Sequence, residues 1–243
     1  MLNLLFRIGG MLILAGSMFW VGGASHAQEG IVGYDPDITT LSREGEDFAF
    51  VALNERWPGD ERVVIPVCWE NPAAGSEENR AAVKAAAEET WAANSRIEFV
   101  GWGRCSYTQR GIRILIADRG PHTRGLGAAL NERRDGMLLN FTFQDWGTLC
   151  GRNEEMRQNC IRAIAIHEFG HAIGFSHEHN RWDRPGECTA PSQGSDGTAI
   201  LTPYDPESVM NYCFNMYSNG GSLSDMDVQG LHVFYGAPLP DLE

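Results

Sequence analysis

The chain has 243 residues, 43% of them hydrophobic and 21% charged, and a formal net charge of −13. That length suits one domain with a sizeable core. A chain this acidic, with Lys84 as its single lysine, is a poor partner for nucleic acid or an anionic membrane, since like charge repels it from both.

The first 27 residues read as a targeting segment. Arg7 is its only formal charge, an apolar core runs from Met11 to Val21, and Ser25-His26-Ala27 ends in small residues suited to cleavage before Gln28. A retained anchor is the alternative. The apolar run is short for a spanning helix and is interrupted by Gly9, Gly10, Gly16, Gly22 and Gly23. A secreted or periplasmic protein follows, free of the membrane after cleavage and monomeric. Residues 28–60 are polar and acidic, broken by Pro36, Gly45, Pro58 and Gly59, and read as a leader or short propeptide.

The folded domain is expected over residues 61–243. Val63–Val67 reads as a strand, with Pro66 where no ladder donor is needed. Ser76 caps a helix over about 77–94, whose apolar stripe is Val83, Ala86, Ala87, Thr90 and Trp91. Short strands follow at Ile97–Val100 and Ile112–Ala117. A glycine-rich loop from Gly120 to Gly127 contains His122, which has no nearby partner for a metal. Met137–Phe143 reads as a strand by its β-branched and aromatic content. Asn140-Phe141-Thr142 fits a glycosylation sequon but falls inside that strand.

A helix is expected from about Arg157 to Ile173, apolar nearly all round as a buried central helix would be. It carries His167-Glu168-x-x-His171-x-x-Gly174-x-x-His177. His167 and His171, four apart, share one helix face. Gly174 lets the backbone leave the helix left-handed and brings His177 round. Three imidazoles converging in this way suit a tetrahedral zinc ion with one position left for water. Glu168 lies too far round the helix to ligate and is placed to take a proton from that water. The bland alternative is a buried helix whose histidines are satisfied core residues.

Beyond Gly174 the chain is irregular up to about residue 207. His179 lies two past His177 and is a rival ligand or a cleft-rim residue. Asp183, Glu187, Asp196 and Asp205 could hold calcium, although no calcium-loop spacing supports it. Ser208-Val209-Met210-Asn211-Tyr212 is a Met-turn candidate, and with the histidine pattern it makes the metzincin signature. The last helix is Asp225–Tyr235, opened by Ser224 with Asp227 and closed by Gly236 and Pro238.

All six cysteines (Cys68, Cys105, Cys150, Cys160, Cys188, Cys213) follow the targeting segment. An even count there implies disulfides, with fifteen possible pairings. Nearest-neighbour pairing would staple the lead-in to the zinc helix and tie the loop after that helix to the Met-turn.

These motifs resemble the metzincin zinc endopeptidases, and among them the astacins. Glu178 directly after the third histidine and Tyr212 two after the methionine are similar to astacins, while the core HEFGHAIG reads more like a matrixin. The resemblance implies an α/β fold: a twisted, mostly parallel sheet and two helices above the cleft, with an irregular lower subdomain and a C-terminal helix. It implies Gly125–Leu130 as the substrate-pairing edge and Met210 as an apolar floor under the metal. It also implies Tyr212 as a further ligand that swings to the oxyanion, and Glu178 as partner of a processed N-terminus. Asp35, Asp37 and Asp60 are candidate counterparts of a propeptide aspartate on the zinc, although none sits in a matching motif, and a solvated N-terminal arm is the alternative. A matrixin-type cysteine switch is excluded, because residues 28–60 hold no cysteine. Astacins place a cysteine near the domain end, and this chain has none after Cys213. The function so implied is a zinc-dependent endopeptidase acting on protein or peptide substrates, with Glu168 as general base. The rival is a secreted binding module that keeps the zinc site as architecture, for which loss of Glu168 would be the sign.

Overall fold

The computed structural model describes residues 49–213 and 221–240. The targeting segment and the leader up to residue 48 lie outside the described residues. Ten regular elements follow in chain order: β1 Ala49–Val51, β2 Val63–Trp69, α1 Glu77–Ala87, β3 Ile97–Arg104, β4 Ile112–Ile116, β5 His122–Thr123, β6 Met137–Leu139, α2 Glu154–Ala172, β7 Ala199–Leu201 and α3 Asp225–Tyr235.

The main sheet has the order β3-β2-β4-β6-β5. All its pairings are parallel except that of β5, which runs antiparallel to β6 along one edge. β2 is an interior strand that alternates at its start, with Val63, Ile65 and Val67 buried and Val64 exposed, and then buries Cys68 and Trp69 in succession. That suits a strand whose C-terminal end is covered on both faces. Trp102 is an extra residue opposite the Val67/Cys68 step, a bulge that carries β3 beyond the predicted Val100 to Arg104. α1 is N-capped by Ser76, whose side chain accepts from the Asn79 amide. Its continuation over Glu88–Ala92 widens to a π-turn, where the Thr90 hydroxyl donates to the Ala86 carbonyl.

α2 packs against α1 and β6. It starts three residues before the predicted Arg157, because Asn153 caps it by accepting from the Met156 amide. Two tryptophans pin it from outside. Trp91 donates its indole N–H to the Ile166 carbonyl at 2.8 Å, and Trp57 donates to Ala172 at 2.7 Å. A buried indole N–H left unpaired costs its desolvation, and both of these find an acceptor on α2.

Three expectations change. Residues 49–57 fall in the segment read as leader, yet β1 pairs with β7, and Phe50, Val51 and Trp57 are buried in the domain. A few apolar residues among many acids were diluted in a composition reading. The sheet edge is His122–Thr123, not Gly125–Leu130; Gly127–Leu130 is a 3-10 turn that buries Leu130. The strand read as Met137–Phe143 stops at Leu139, where the Asn140 carboxamide oxygen accepts from the Thr142 and Phe143 amides and turns the chain. Asn140 is buried, so the sequon offers no accessible nitrogen.

The disulfides are Cys68–Cys105, Cys150–Cys160 and Cys188–Cys213, the nearest-neighbour scheme, and no described cysteine is free. The second ties the loop before α2 to its first half. The third ties residues after Gly174 to the Met-turn.

Candidate metal centre and catalytic cleft

α2 ends in a Schellman motif. The Phe175 amide donates to the Gly170 carbonyl and the Gly174 amide to that of His171, with Gly174 at φ 103°. The reversal carries His177 back toward His167 and His171. Their ligand atoms all lie within 4.8 Å of one another, the one cluster of potential metal ligands among the described residues.

The imidazoles are oriented by their far nitrogens. His167 Nδ1 donates to the Val209 carbonyl, His171 Nδ1 to Phe175 and His177 Nδ1 to Gln193, each at 2.8 Å. With the protons on Nδ1, every Nε2 presents a lone pair. The Nε2 atoms of His167 and His171 each lie 3.1 Å from that of His177. Lone pairs at that distance repel unless a cation sits between them. Ligands about 2.0–2.1 Å from a tetrahedral zinc would be roughly 3.4 Å apart, so the donor set fits that ion. Burial drives the proton affinity down at all three: His167 falls to about 3, helped by His177 beside it, and His171 and His177 also fall. Neutral imidazole is the form a metal takes.

Glu168 is buried beside the triad, and its Oε2 has no hydrogen-bond partner among the described residues. Burial alone raises its pKa to about 8. Glu168, His171, His177 and Tyr212 line a cleft of about 190 Å³, whose other walls are Pro121–Leu126 above and Gln193–Ser195 below. The Tyr212 phenol oxygen lies 3.0 Å from His167 Nε2, and its ring stacks on that imidazole. Met210 is buried under α2. A Cβ on Gly170 would come within 2.5 Å of its sulfur, so a glycine is needed there for the floor to close.

The Met-turn is wired to α3. Asp227 accepts from the Ser208 hydroxyl at 2.7 Å and from the Val209 amide at 2.9 Å, while closing the capping box with Ser224. Val209 therefore offers its carbonyl to His167 and its amide to Asp227. The sequence reading found Asp227 only as a cap. Arg181 was missed altogether. Fully buried, it donates to Glu178 at 2.8 Å and to Asp183 at 2.6 Å. A lone arginine between two acids was the available signal.

Glu178 itself accepts from Arg181 and from the Asp205 amide. Burial nevertheless lifts its pKa to about 7, against the pull of Arg181. The partner seen for Glu178 is thus an internal cation, where an N-terminal ammonium was expected. His179 stays outside the triad, stacked on Tyr212 and accepting from the Tyr212 amide. Of the four acids weighed for calcium, Asp183 pairs with Arg181, Asp196 accepts from Asn180, and Asp205 accepts from Ser224.

The sequence profile of the astacin peptidase family matches residues 147–191. The dorsal-ventral patterning protein tolloid of Drosophila melanogaster is 31% identical over 117 residues, covering 38% of this chain and 11% of that protein. Zinc metalloproteinase nas-5 of Caenorhabditis elegans is 36% identical over 84 residues, 28% of this chain and 23% of that protein. The chain thus spans under a quarter of the length of either relative. The structure of myroilysin superposes with a TM-score of 0.52 at 24% identity, over 78% of this chain and 99% of that one. That likeness speaks for the fold. The profile match spans the zinc-motif helix, its glycine turn and the segment through Arg181, and it favours the astacin branch over the matrixin one. Over the zinc-motif segment the chain is most similar to the astacin-family metzincins.

Proposed function

We propose that this chain is a zinc-dependent endopeptidase that hydrolyses peptide bonds in protein or peptide substrates. One observation carries the reading. Three buried imidazoles, each held through Nδ1, turn their lone pairs to one point beside a buried carboxylate oxygen that no described residue uses. A site kept only as architecture has no need of that carboxylate.

His167, His171 and His177 would hold the ion. When bound, zinc supplies Lewis acidity, which polarises a carbonyl and acidifies water. Glu168 takes a proton from the attacking water through its free oxygen and hands it to the leaving amine. Tyr212 donates its phenol proton in a hydrogen bond to the oxygen on which charge develops. Met210 closes the floor and excludes water. β5 presents an edge to the cleft, and an extended substrate adds there as a further strand, its main chain bonded at His122 and Thr123.

Residues 1–27 direct export and residues 28 to about 48 form a leader, with the mature protein a secreted or periplasmic monomer. Three disulfides support an oxidising compartment. No helix among the described residues is long and apolar enough to cross a membrane. Glu178, already neutralised by Arg181, is read as an anchor of the cleft floor.

The test is casein hydrolysis by the purified protein. It should be abolished by phenanthroline and restored by added zinc. A zinc-loaded protein that cleaves nothing would favour the binding module instead.

A further inference from the structure

His167 and His171 stand on a buried helix, and their orientation follows from its packing. His177 stands in a stretch without regular structure, so something else must fix it. Its Nδ1 donates to the Gln193 carbonyl, and Gln193 is exposed in an equally irregular loop, sixteen residues further on. A carbonyl on a loose loop cannot orient a ligand unless the loop is itself held.

Two residues on, the Ser176 hydroxyl donates to the Ser195 carbonyl at 2.7 Å, while at Gln193 itself the holding group is Asn180. Its Nδ2 donates to the Gln193 carbonyl at 2.7 Å, and its Oδ1 accepts from the Gln193 amide at 3.0 Å. The carboxamide thus pairs with both polar groups of one residue, as a neighbouring strand would. The second Nδ2 proton goes to Asp196 Oδ1 at 2.9 Å, which fixes which way round the carboxamide sits. The Gln193 carbonyl, with two lone pairs, accepts from His177 and Asn180 together. Next to it, a Cβ on Gly194 would lie 3.6 Å from the His177 ring, so the loop packs along the imidazole it orients. Gln193, Gly194 and Ser195 also form the lower wall of the cleft.

We propose that Asn180 is a positioning residue for the metal centre, acting through the Gln193 peptide to set the orientation and tautomer of His177 and, with it, the lower wall of the cleft. The inference rests on the zinc reading of the site. Outer partners of this kind typically change metal affinity by about 10- to 100-fold.

Two variants of the full chain test it. Asn180→Ala removes the whole clamp. Asn180→Asp keeps the volume and the acceptor for the Gln193 amide, but turns an oxygen toward the Gln193 carbonyl and Asp196. Zinc dissociation constants by chelator competition are read beside the melting temperature of the metal-free protein. The expected result is zinc binding weakened about 10- to 100-fold in both variants, with Asp at least as harmful as Ala and the metal-free melting temperature close to wild type. Asn180 is half-exposed, and if the Ala variant does not fold, the isosteric Asp variant carries the test. Wild-type affinity in Asn180→Asp would overturn the proposal, because a residue that merely fills space would tolerate an isostere. A wild-type protein that binds no zinc would overturn the reading of the site instead, and is seen in the same titration.

Discussion

The molecule has two regions that build one site by different means. Between Val63 and Gly174 lie the five-stranded sheet, α1 and α2, and α2 is placed by apolar burial on nearly every side and by two indole hydrogen bonds. Among the described residues from Phe175 to Cys213 the only strand is the three-residue β7, and there is no α-helix. Buried there are instead Glu178, Arg181, Asp205 and Asn211, joined by hydrogen bonds and an ion pair and linked through Ser224 to Asp227 of α3, with one disulfide in the same stretch. The first region carries His167, Glu168 and His171. The second supplies His177, Met210 and Tyr212. Burial is tolerant of small changes, because many contacts share the load. A polar network is not, since each buried group left unpaired costs the full desolvation of that group.

Glu168→Gln tests the regular region's share of the chemistry and should have the largest effect. Losing a general base removes up to about 10⁴-fold in turnover. The packing of α2 is untouched, so zinc content should stay at the wild-type level. Metal analysis beside a peptidase assay separates the two, and joint loss of zinc and activity would mean that Glu168 helps to hold the ion.

Arg181→Met probes the irregular region. Breaking a fully buried pair strands Glu178 without its cation, at a cost of about 3–5 kcal/mol. The loss should be local. Hydrogen exchange is expected to rise across residues 178–211 while α2 keeps its protection, and uniform deprotection would show that the two regions unfold as one.

Tyr212→Phe should keep both zinc and KM and lose about 100- to 1000-fold in kcat, the scale for one oxyanion donor. Unchanged kcat would leave the phenol as a packing group stacked on His167 and His179.

The smallest effect belongs to a buried pair in the regular region. Arg113, nearly fully buried, donates to both Glu70 oxygens at 2.8 and 3.1 Å and holds that carboxyl below the ordinary glutamate value of 4.5. A carboxylate with a depressed folded pKa stabilises the fold above its unfolded pKa, and that contribution is lost as pH falls. Denaturant melts of wild type and Glu70→Gln should therefore converge as pH drops below about 4.5 and differ at pH 7. Parallel profiles would assign the pair no net role.

The sequence made the regular region legible because its signals are periodic. The apolar stripe of α1, the apolar run into α2 and the fixed spacing of three histidines all follow from helix geometry. The nearest-neighbour disulfide scheme also holds. The edge strand was missed because two residues are too few to show a period, and a conformational turn, Gly127–Leu130, was read in its place. In the irregular region, individual residues could be named by family resemblance, as with Tyr212 and Met210, but their wiring could not. Asp227 and Val209, or Asn180 and Gln193, meet through contacts between side chain and main chain that leave no mark in composition or spacing.

Zinc K-edge absorption spectroscopy on the purified protein tests the central claim most directly. One ion per chain is expected, with three imidazole nitrogens at about 2.0–2.1 Å, an oxygen completing the shell and no sulfur. A sulfur ligand, or fewer than three imidazoles, would contradict it.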